Sequence, residues 1–385
     1  MSTHTDQYHP GTQRRLNDRK PQLYCHDNEQ NRQLIDCLPQ LRQAFHPTPW
    51  LFNAHAQLVF HGLRKGRPSA DPLYDHTDLL TMSDGGHTAL AWRGHGLPGT
   101  IPTIVLLHTI TGSPESMSRM VWGLHANTGW RIVLCVRRGH ADLLLTTPRI
   151  NILGSTRDLR EQLEVIRTRF PDSPLYCVGS SAGSGLLARY LGEEGAASPF
   201  LAAFADCPGY NTDVGFASAH PFYSRMMAKK LIEQFITPNL PTIEHFLTTA
   251  KLRNAESLAD FYRHMYELAG YDSYKEYTEA CNPMHVFQAI RTPLMILNAE
   301  DDPVCRIDNV APYLDSMQQM PNVILVTTAQ GSHCAHYEGW SARSWSGRLI
   351  GNYFLAMYQR VRLGRPAPTG DLPDGRDPAV RRRGR

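Results

Sequence analysis

The pentapeptide Gly-Ser-Ser-Ala-Gly at residues 179–183 is the segment whose residue types and spacing most clearly predict chemistry. It follows a short apolar run at residues 175–178 and precedes a helical pattern at residues 184–191. A tight turn between a strand and a helix, with small residues on both sides, can hold a serine hydroxyl above the end of the strand. We therefore predict that Ser181 is a nucleophile. The alternative is a turn whose small residues serve packing alone.

A serine hydroxyl becomes a good nucleophile only when a base removes its proton, and the base in turn needs a partner that orients it. The apolar run at residues 293–297 is followed by two aspartates that compete for this role, Asp301 and Asp302. A carboxylate just beyond the end of a strand is well placed to orient an imidazole. We favour Asp302, which directly precedes Pro303, and Asp301 remains the alternative, with a turn or capping role for the other residue.

The base is expected in the loop that follows the apolar run at residues 323–326. This loop contains two histidines, His333 and His336, and either imidazole could accept the serine proton through one nitrogen while donating the other N–H to the carboxylate. We favour His333, because it comes first after the turn formed by Gly331 and Ser332. The chain has no metal-ligand spacing such as His-Glu-x-x-His, so neither a metal nor another cofactor is expected.

Attack on a carbonyl also requires donors for the negative oxygen that develops. The backbone N–H of Ala182, directly after the nucleophile, is one expected donor. The second should come from the loop after an earlier strand, here residues 108–112, and we select the N–H of Ile110. Together these residues predict acyl transfer from a carboxylic ester through an acyl-enzyme on Ser181.

The elements that must position these residues follow from the spacing of apolar residues. Short apolar runs alternate with helical patterns from residue 101 onward, which is typical of βαβ units and a mostly parallel sheet flanked by helices, an α/β fold. The predicted helix at residues 156–170 begins with Ser155 and Asp158 as a capping pair, and another helix lies near the C-terminus. The predicted strands occupy residues 57–60, 77–82, 87–92, 104–107, 132–136, 175–178, 201–205, 294–297 and 323–326.

The pattern also divides the chain into segments. We expect an N-terminal extension at residues 1–40, a core at residues 41–207 and 281–362, and a disordered basic tail at residues 363–385. The segment at residues 208–280 is helical without a convincing strand, as expected for a lid over an active site. Its apolar side chains could form an acyl pocket or simply pack on the core; they are Met226, Met227, Leu231, Ile232 and Phe235.

Composition excludes several classes of protein. The formal net charge is +3 over 385 residues, which gives no field strong enough to predict nucleic-acid binding. The eight cysteines show no disulfide-framework spacing, and there is neither a signal-peptide pattern nor a long apolar run. These features predict a cytoplasmic protein with, at most, weak peripheral membrane contact through the lid.

The segment at residues 94–99 matches GxGxxG, the pattern of dinucleotide-binding loops. It lies next to prolines and precedes a strand instead of a helix, so we interpret it as a connecting loop.

Five segments resemble those of the YheT-like branch of the α/β hydrolases, which contains abhydrolase-domain lipases and embryogenesis-associated proteins. These segments are residues 49–57, 136–139, 174–192, 207–211 and 333–339. The resemblance covers residues 47–360 and implies the α/β-hydrolase fold and a carboxylesterase or lipase that cleaves acyl esters, including acylglycerols or phospholipids. It also supports His333 over His336.

Three residues depart from the usual pattern of that branch. Thr109 stands in place of a glycine in the oxyanion loop, Ala182 in place of a methionine, and His336 in place of a glycine. No triad position is lost, so these departures bear on substrate preference. Two alternatives share the same scaffold: an acyltransferase that uses the same acyl-enzyme, and a non-catalytic ligand-binding protein, which predicts a damaged triad.

Overall fold

A nine-stranded sheet forms the centre of the computed structural model, which describes residues 19–64 and 73–364. Its spatial order is β1-β9-β8-β7-β6-β4-β5-β3-β2, and β10 and β11 form a separate hairpin. The strands are β1 (Gln22–Cys25), β2 (His76–Thr81), β3 (His87–Arg93), β4 (Thr103–Leu107), β5 (Arg131–Val136), β6 (Leu175–Ser180), β7 (Phe200–Asp206), β8 (Leu294–Ala299), β9 (Val323–Thr328), β10 (Tyr337–Glu338) and β11 (Arg343–Ser344).

The six strands from β4 to β9 are parallel to one another, whereas β1, β2 and β3 are antiparallel to their neighbours. Almost every residue of the parallel strands is buried, because helices cover both faces of the sheet. This explains why the strands appear in the sequence as continuous apolar runs. The prediction of a mostly parallel α/β sheet is therefore confirmed, as are its six apolar strands and the loop at residues 94–99 between β3 and β4.

Helices pack on both faces of this sheet. One face packs against α1, α2, α4 and α15, and the other against α5, α6 and α14. The helices are α1 (Glu29–Asp36), α2 (Pro39–Arg42), α3 (Ala54–Leu63), α4 (Ser118–Thr128), α5 (Arg157–Arg169), α6 (Ala182–Glu194), α7 (Thr212–Ser218), α8 (Pro221–Leu231), α9 (Leu240–Ile243), α10 (Thr249–Arg253), α11 (Leu258–Arg263), α12 (Tyr266–Ala269), α13 (Tyr274–Cys281), α14 (Leu314–Gln319) and α15 (Trp345–Leu363).

The segment between β7 and β8 contains helices α7 to α13 and a π-helical turn at Ile232–Ile236. These helices share a core of their own, to which Leu231 and Phe235 contribute. Ile110 of the oxyanion loop is buried in the same core, and Ala182 packs against it. The insertion therefore lies against the loops that carry the predicted chemistry. Among the described residues, none of the helices has the length and apolar character needed to cross a bilayer.

Two local predictions differ from the structure. Residues 57–60, predicted as a strand, lie in α3, because the Asn53 side chain accepts the N–H of Ala56 and caps a helix there. Ser155 does not cap α5. Thr156 is its N-cap residue, and its hydroxyl binds Glu193 instead of capping the helix, while Asp158 binds Arg138.

The predicted N-terminal extension also differs where the structure describes it. Residues 19–40 contribute the edge strand β1, which pairs with β9, and helices that bury Leu34 and Leu38 against the sheet. This part of the chain therefore belongs to the core. α15 ends at Leu363, where the predicted tail begins, and the tail beyond Gly364 lies outside the described residues.

Candidate functional site

Ser181 lies at the turn between β6 and α6, in a backbone conformation that non-glycine residues rarely adopt (φ 52°, ψ −116°). Two neighbours must be glycine for this turn to form. A Cβ at Gly179 would come within 2.4 Å of the carbonyl oxygen of Gly183, and a Cβ at Gly183 within 2.2 Å of the carbonyl oxygen of Leu107. The Ser181 N–H donates to the carbonyl of Asp206 at 2.8 Å, which fixes the turn against β7.

The structure brings the three predicted residues into one chain of hydrogen bonds. His333 Nε2 lies 2.8 Å from Ser181 Oγ, and His333 Nδ1 lies 2.7 Å from Asp302 Oδ2. The three residues follow β6, β8 and β9, respectively, so they meet at the carboxyl ends of parallel strands although they are far apart in the sequence. All three side chains are largely buried, with Ser181 and His333 each 8% exposed.

Asp302 is held by the backbone as well as by the histidine. Its Oδ1 accepts the N–H groups of Val304 and Cys305 at 2.7 and 2.9 Å, which leaves Oδ2 for His333. Asp301 points elsewhere and accepts the N–H of Ser332 at 2.8 Å. Burial raises the pKa of the Asp301 carboxyl to about 6. The structure therefore places Asp302 against the imidazole, whereas Asp301 orders the loop that carries it.

The environment of His333 favours its charged form. Burial alone would lower the pKa of the imidazole, but the charge and hydrogen bond of Asp302, together with the neighbouring Cys334 and Cys305, outweigh burial, so the pKa is raised well above its usual value. His336 is different. Its Nε2 lies 2.9 Å from Thr328 Oγ1, and burial lowers the pKa of its imidazole to about 3. Of the two histidines considered from sequence, the structure brings only His333 to Ser181.

The two predicted oxyanion donors lie on loops next to the serine. Within the part of the chain that the structure describes, the N–H groups of Ile110 and Ala182 make no hydrogen bond. The peptide before Ile110 is oriented by Arg137, whose guanidinium donates to the carbonyls of Thr109 at 2.6 Å and His108 at 3.2 Å. Since the carbonyl of Thr109 points toward Arg137, the N–H of the same peptide plane points away from it.

Arg137 is the residue of this site that sequence reasoning missed. It is 3% exposed and also donates to the carbonyl of Ile152 at 2.7 Å, so its guanidinium joins two loops. Arg137 lies in the segment at residues 136–139, one of the five that carry the family resemblance, but the resemblance gives it no role. The sequence did indicate that Arg137 has a structural role, because a charged residue directly after a buried strand must find hydrogen-bond partners in the fold.

Clusters of possible metal ligands also occur at the site. Three groups in the described residues have ligand atoms within 4.8 Å of one another: Cys207, His333 and Cys334; Asp302, Cys305 and His333; and Asp206, Cys207 and His336. The first two groups would require the imidazole that already binds Ser181. The third group leaves His333 in place.

Known proteins resemble this chain over most of its length. It is 27% identical to the mouse protein Phospholipase ABHD3 over 355 residues, which covers 89% of this chain and 85% of the relative. It is 28% identical to the Saccharomyces cerevisiae protein Medium-chain fatty acid ethyl ester synthase/esterase 2, covering 68% of this chain and 63% of the relative. The esterase Pf2001 from Pyrococcus furiosus, a solved structure, is 18% identical, covering 73% of this chain and 92% of that one with a TM-score of 0.48.

The family model for the alpha/beta hydrolase fold matches residues 102–339. The matched segment begins just before β4 and ends after the histidine loop, so it includes Ser181, Asp302 and His333. It covers more than half of the chain and agrees with the mostly parallel sheet flanked by helices. The chain therefore belongs to the family of proteins with the alpha/beta hydrolase fold.

Proposed function

We propose that this protein is a serine hydrolase that cleaves carboxylic esters of acyl lipids through an acyl-enzyme on Ser181. The observation that carries the proposal is the hydrogen-bonded chain from Ser181 Oγ through His333 to Asp302 Oδ2. This is the arrangement by which an imidazole removes a serine proton while a carboxylate fixes its tautomer. A non-catalytic protein would have no need of these contacts.

In the proposed mechanism, Ser181 Oγ attacks the ester carbonyl and its proton passes to His333 Nε2. The carbonyl oxygen becomes negative and is stabilised by the N–H groups of Ile110 and Ala182. His333 then donates the proton to the leaving alcohol, which gives the acyl-enzyme. A water molecule attacks the acyl carbon in the second half, with His333 again accepting and returning a proton. Asp302 stabilises the imidazolium that forms in both halves.

An acyl lipid is the substrate class that the surroundings of Ser181 favour. Ile110 and Ala182 border the apolar core of the insertion, which also includes Phe235 and Leu231. Two relatives carry names that specify a phospholipase and a fatty acid ethyl ester synthase/esterase. We infer that the acyl chain lies against the insertion, which then serves as the predicted lid. Four half-exposed or exposed apolar side chains on the insertion support weak peripheral contact with lipid: Val214, Phe222, Met226 and Leu247.

Acyl transfer to an alcohol is the second candidate, because the yeast relative is named as both a synthase and an esterase. Both reactions use the same acyl-enzyme and differ only in whether water or an alcohol attacks it. Adding ethanol to the assay and quantifying ethyl esters against free fatty acid separates the two.

Compartment is also part of the proposal. All eight cysteines are free thiols in the structure, which supports a reducing, cytoplasmic environment. The measurement that checks this is fractionation of cells that express the chain, followed by thiol labelling of the protein. Recovery in an oxidising compartment would contradict it.

The decisive test uses a fluorophosphonate probe and p-nitrophenyl esters of graded chain length. Ser181→Ala should abolish both labelling and hydrolysis. Ser180→Ala is the matched control, because Ser180 is the neighbouring buried hydroxyl and contacts Cys334 Sγ, not His333. It should keep labelling. Labelling that persists in Ser181→Ala would reject the proposed nucleophile, and a preference confined to the shortest esters would reject the lipid substrate.

Co-sedimentation with phospholipid vesicles tests the proposed peripheral contact with lipid. A protein that stays in the supernatant would contradict that contact.

A further inference from the structure

A buried group of three electron-pair donors lies beneath the triad and has no role in the proposed reaction. It consists of Asp206 at the end of β7, Cys207 directly after it, and His336 in the histidine loop. The ligand atoms of the three residues lie within 4.8 Å of one another, and the side chains are 0%, 0% and 1% exposed, respectively. We propose that these residues bind one divalent metal ion of the zinc class.

Two of the three side chains have an atom without a partner. Asp206 Oδ2 and His336 Nδ1 make no hydrogen bond to any residue in the described ranges. Buried polar atoms are almost always paired, because leaving one unpaired costs free energy. Both orphaned atoms belong to side chains of the same group, and a cation bound to both would give each a partner.

The remaining contacts are those of metal ligands. His336 Nε2 bonds Thr328 Oγ1 at 2.9 Å, and metal-bound histidines use their second nitrogen for just such an outer hydrogen bond. With the proton on Nε2, Nδ1 offers a lone pair. Cys207 Sγ accepts the N–H of Cys334 at 3.2 Å, and its S–H donates to Asp206 Oδ1 at 3.8 Å and to the carbonyl of Ser332 at 3.9 Å; a bound zinc ion would take the place of that proton.

The donor set determines which ion fits. Carboxylate, thiolate and imidazole together are zinc ligands, whereas calcium and magnesium prefer oxygen alone. Zinc bonds of about 2.0–2.3 Å in a tetrahedron place ligand atoms roughly 3.5 Å apart, so these side chains need to approach one another by about 1 Å. Rotation about side-chain bonds can supply that shift.

The site would connect the loops that carry the nucleophile and the base. The carbonyl of Asp206 accepts the N–H of Ser181 at 2.8 Å and the hydroxyl of Ser184 at 2.9 Å, and His336 lies three residues after His333. An ion bound to Asp206 and His336 would therefore hold these loops together. Its role is structural, because His333 keeps its contacts with Ser181 and Asp302.

The test measures metal content and requires no substrate. The purified full chain is treated with a chelator, incubated with Zn²⁺, passed through a desalting column and analysed by mass spectrometry for zinc. We expect about one equivalent of zinc per chain, held by the three side chains with a water molecule as the fourth ligand. Replacing Zn²⁺ by Co²⁺ should give a thiolate-to-cobalt charge-transfer band, and Zn²⁺ should raise the melting temperature.

A pair of histidine variants gives the sharpest comparison. His336→Ala and His333→Ala remove the same atoms from the same loop, and only the first removes a proposed ligand. We expect zinc uptake to fall at least about tenfold in His336→Ala, since even outer-shell losses have that effect, and to stay unchanged in His333→Ala. Asp206→Asn and Cys207→Ser should also lose uptake, whereas Cys305→Ser, beside the triad, should keep it.

Three results would overturn the proposal. The first is a parent protein without zinc above the buffer blank and without the cobalt band, which would leave a buried water as the partner of the orphaned atoms. The second is uptake that survives in Asp206→Asn, Cys207→Ser and His336→Ala. The third is uptake lost in His333→Ala and retained in His336→Ala, which would place the ion at the triad. The parent measurements decide the first outcome even where a variant fails to fold.

Discussion

Replacing Asp302 by asparagine should disable the proposed triad although the side chain keeps its size. In the structure, Oδ1 accepts two backbone N–H groups, those of Val304 and Cys305. The asparagine oxygen must take that position, because an inverted amide would leave two buried donors unpaired at a cost of about 1–3 kcal/mol each. The amide nitrogen then faces His333 Nδ1.

The orientation of the amide determines the tautomer of the histidine. Facing an N–H donor, His333 Nδ1 must be an unprotonated acceptor, so the proton moves to Nε2. Nε2 then donates toward Ser181 Oγ and cannot remove its proton. In serine proteases the corresponding substitution reduces kcat about 10⁴-fold, equivalent to about 5 kcal/mol of transition-state stabilisation. We expect a loss of that order in kcat for p-nitrophenyl esters, with little change in KM.

The pH profile supplies a second measurement on the same variant. In the parent, kcat/KM should rise with pH as His333 loses its proton, with a midpoint above the 6.5 of an unperturbed imidazole, because Asp302 raises the pKa of His333. Loss of that charge removes the largest of the contributions that oppose burial, so the pKa of His333 should fall. The acid limb of the residual activity should therefore move to lower pH in Asp302→Asn.

The adjacent residue provides the control. Asp301 is a buried carboxylate that contacts Ser332 and not the imidazole, so Asp301→Asn should stay within about tenfold of the parent. Two outcomes would refute the reasoning: an Asp302→Asn variant that is within tenfold of the parent, or an Asp301→Asn variant that loses as much activity as Asp302→Asn.

Three further predictions concern the serine turn and two contributions to the free energy of unfolding. Gly183→Ala should prevent the serine turn from forming, since the new Cβ would lie 2.2 Å from the carbonyl oxygen of Leu107; loss of fluorophosphonate labelling checks this, and full labelling would contradict it. Arg138→Met leaves the carboxylate of Asp158, which is 5% exposed, without its ion-pair partner. The free energy of unfolding measured in urea should therefore fall by about 3–5 kcal/mol. A decrease below about 1 kcal/mol would contradict the importance of this ion pair. The Asp301 pKa is raised from 3.8 to about 6 on folding, so its stabilising contribution is complete below pH 3.8 and is lost as pH rises through about 6. The parent should therefore lose roughly 3 kcal/mol relative to Asp301→Asn over that interval, measured by urea unfolding at both ends, and parallel curves would refute the shift.

Local patterns were sufficient to predict the strands and to select the three residues of the proposed triad. A strand buried on both faces must be apolar throughout, so β4 and β8 are visible as runs of four or five residues. Polar residues that follow such a run must lie at the end of the sheet, and this alone brings Ser181, Asp302 and His333 to one edge. No knowledge of contacts between distant residues was needed.

Predictions failed where the decisive partner is distant in the sequence. β1 is an edge strand whose partner is β9, about 300 residues later, and its own residues are only half-buried, so the segment looked like a polar extension. In α3 the residues at 58–60 are apolar and include Val59 and Phe60, which favour strands, but a single cap from Asn53 and packing against the histidine loop outweigh that preference. Arg137 belongs to the same class, because its role depends on loops that only folding brings together.

Backbone conformation at the site was equally invisible to sequence patterns. Five residues that are not glycine have positive φ on the loops around the proposed triad, namely Ser181, Cys207, Tyr210, Ser332 and Cys334. Each such conformation costs of order 1–3 kcal/mol and persists only where surrounding contacts hold it. At Ser181 the holding contact is its N–H bond to Asp206, and at Ser332 it is the N–H bond to Asp301. Because the backbone carbonyl of Asp206 and the carboxylate of Asp301 thus fix the nucleophile turn and the histidine loop, the geometry of the proposed triad depends on two residues that do not touch substrate in the proposed mechanism.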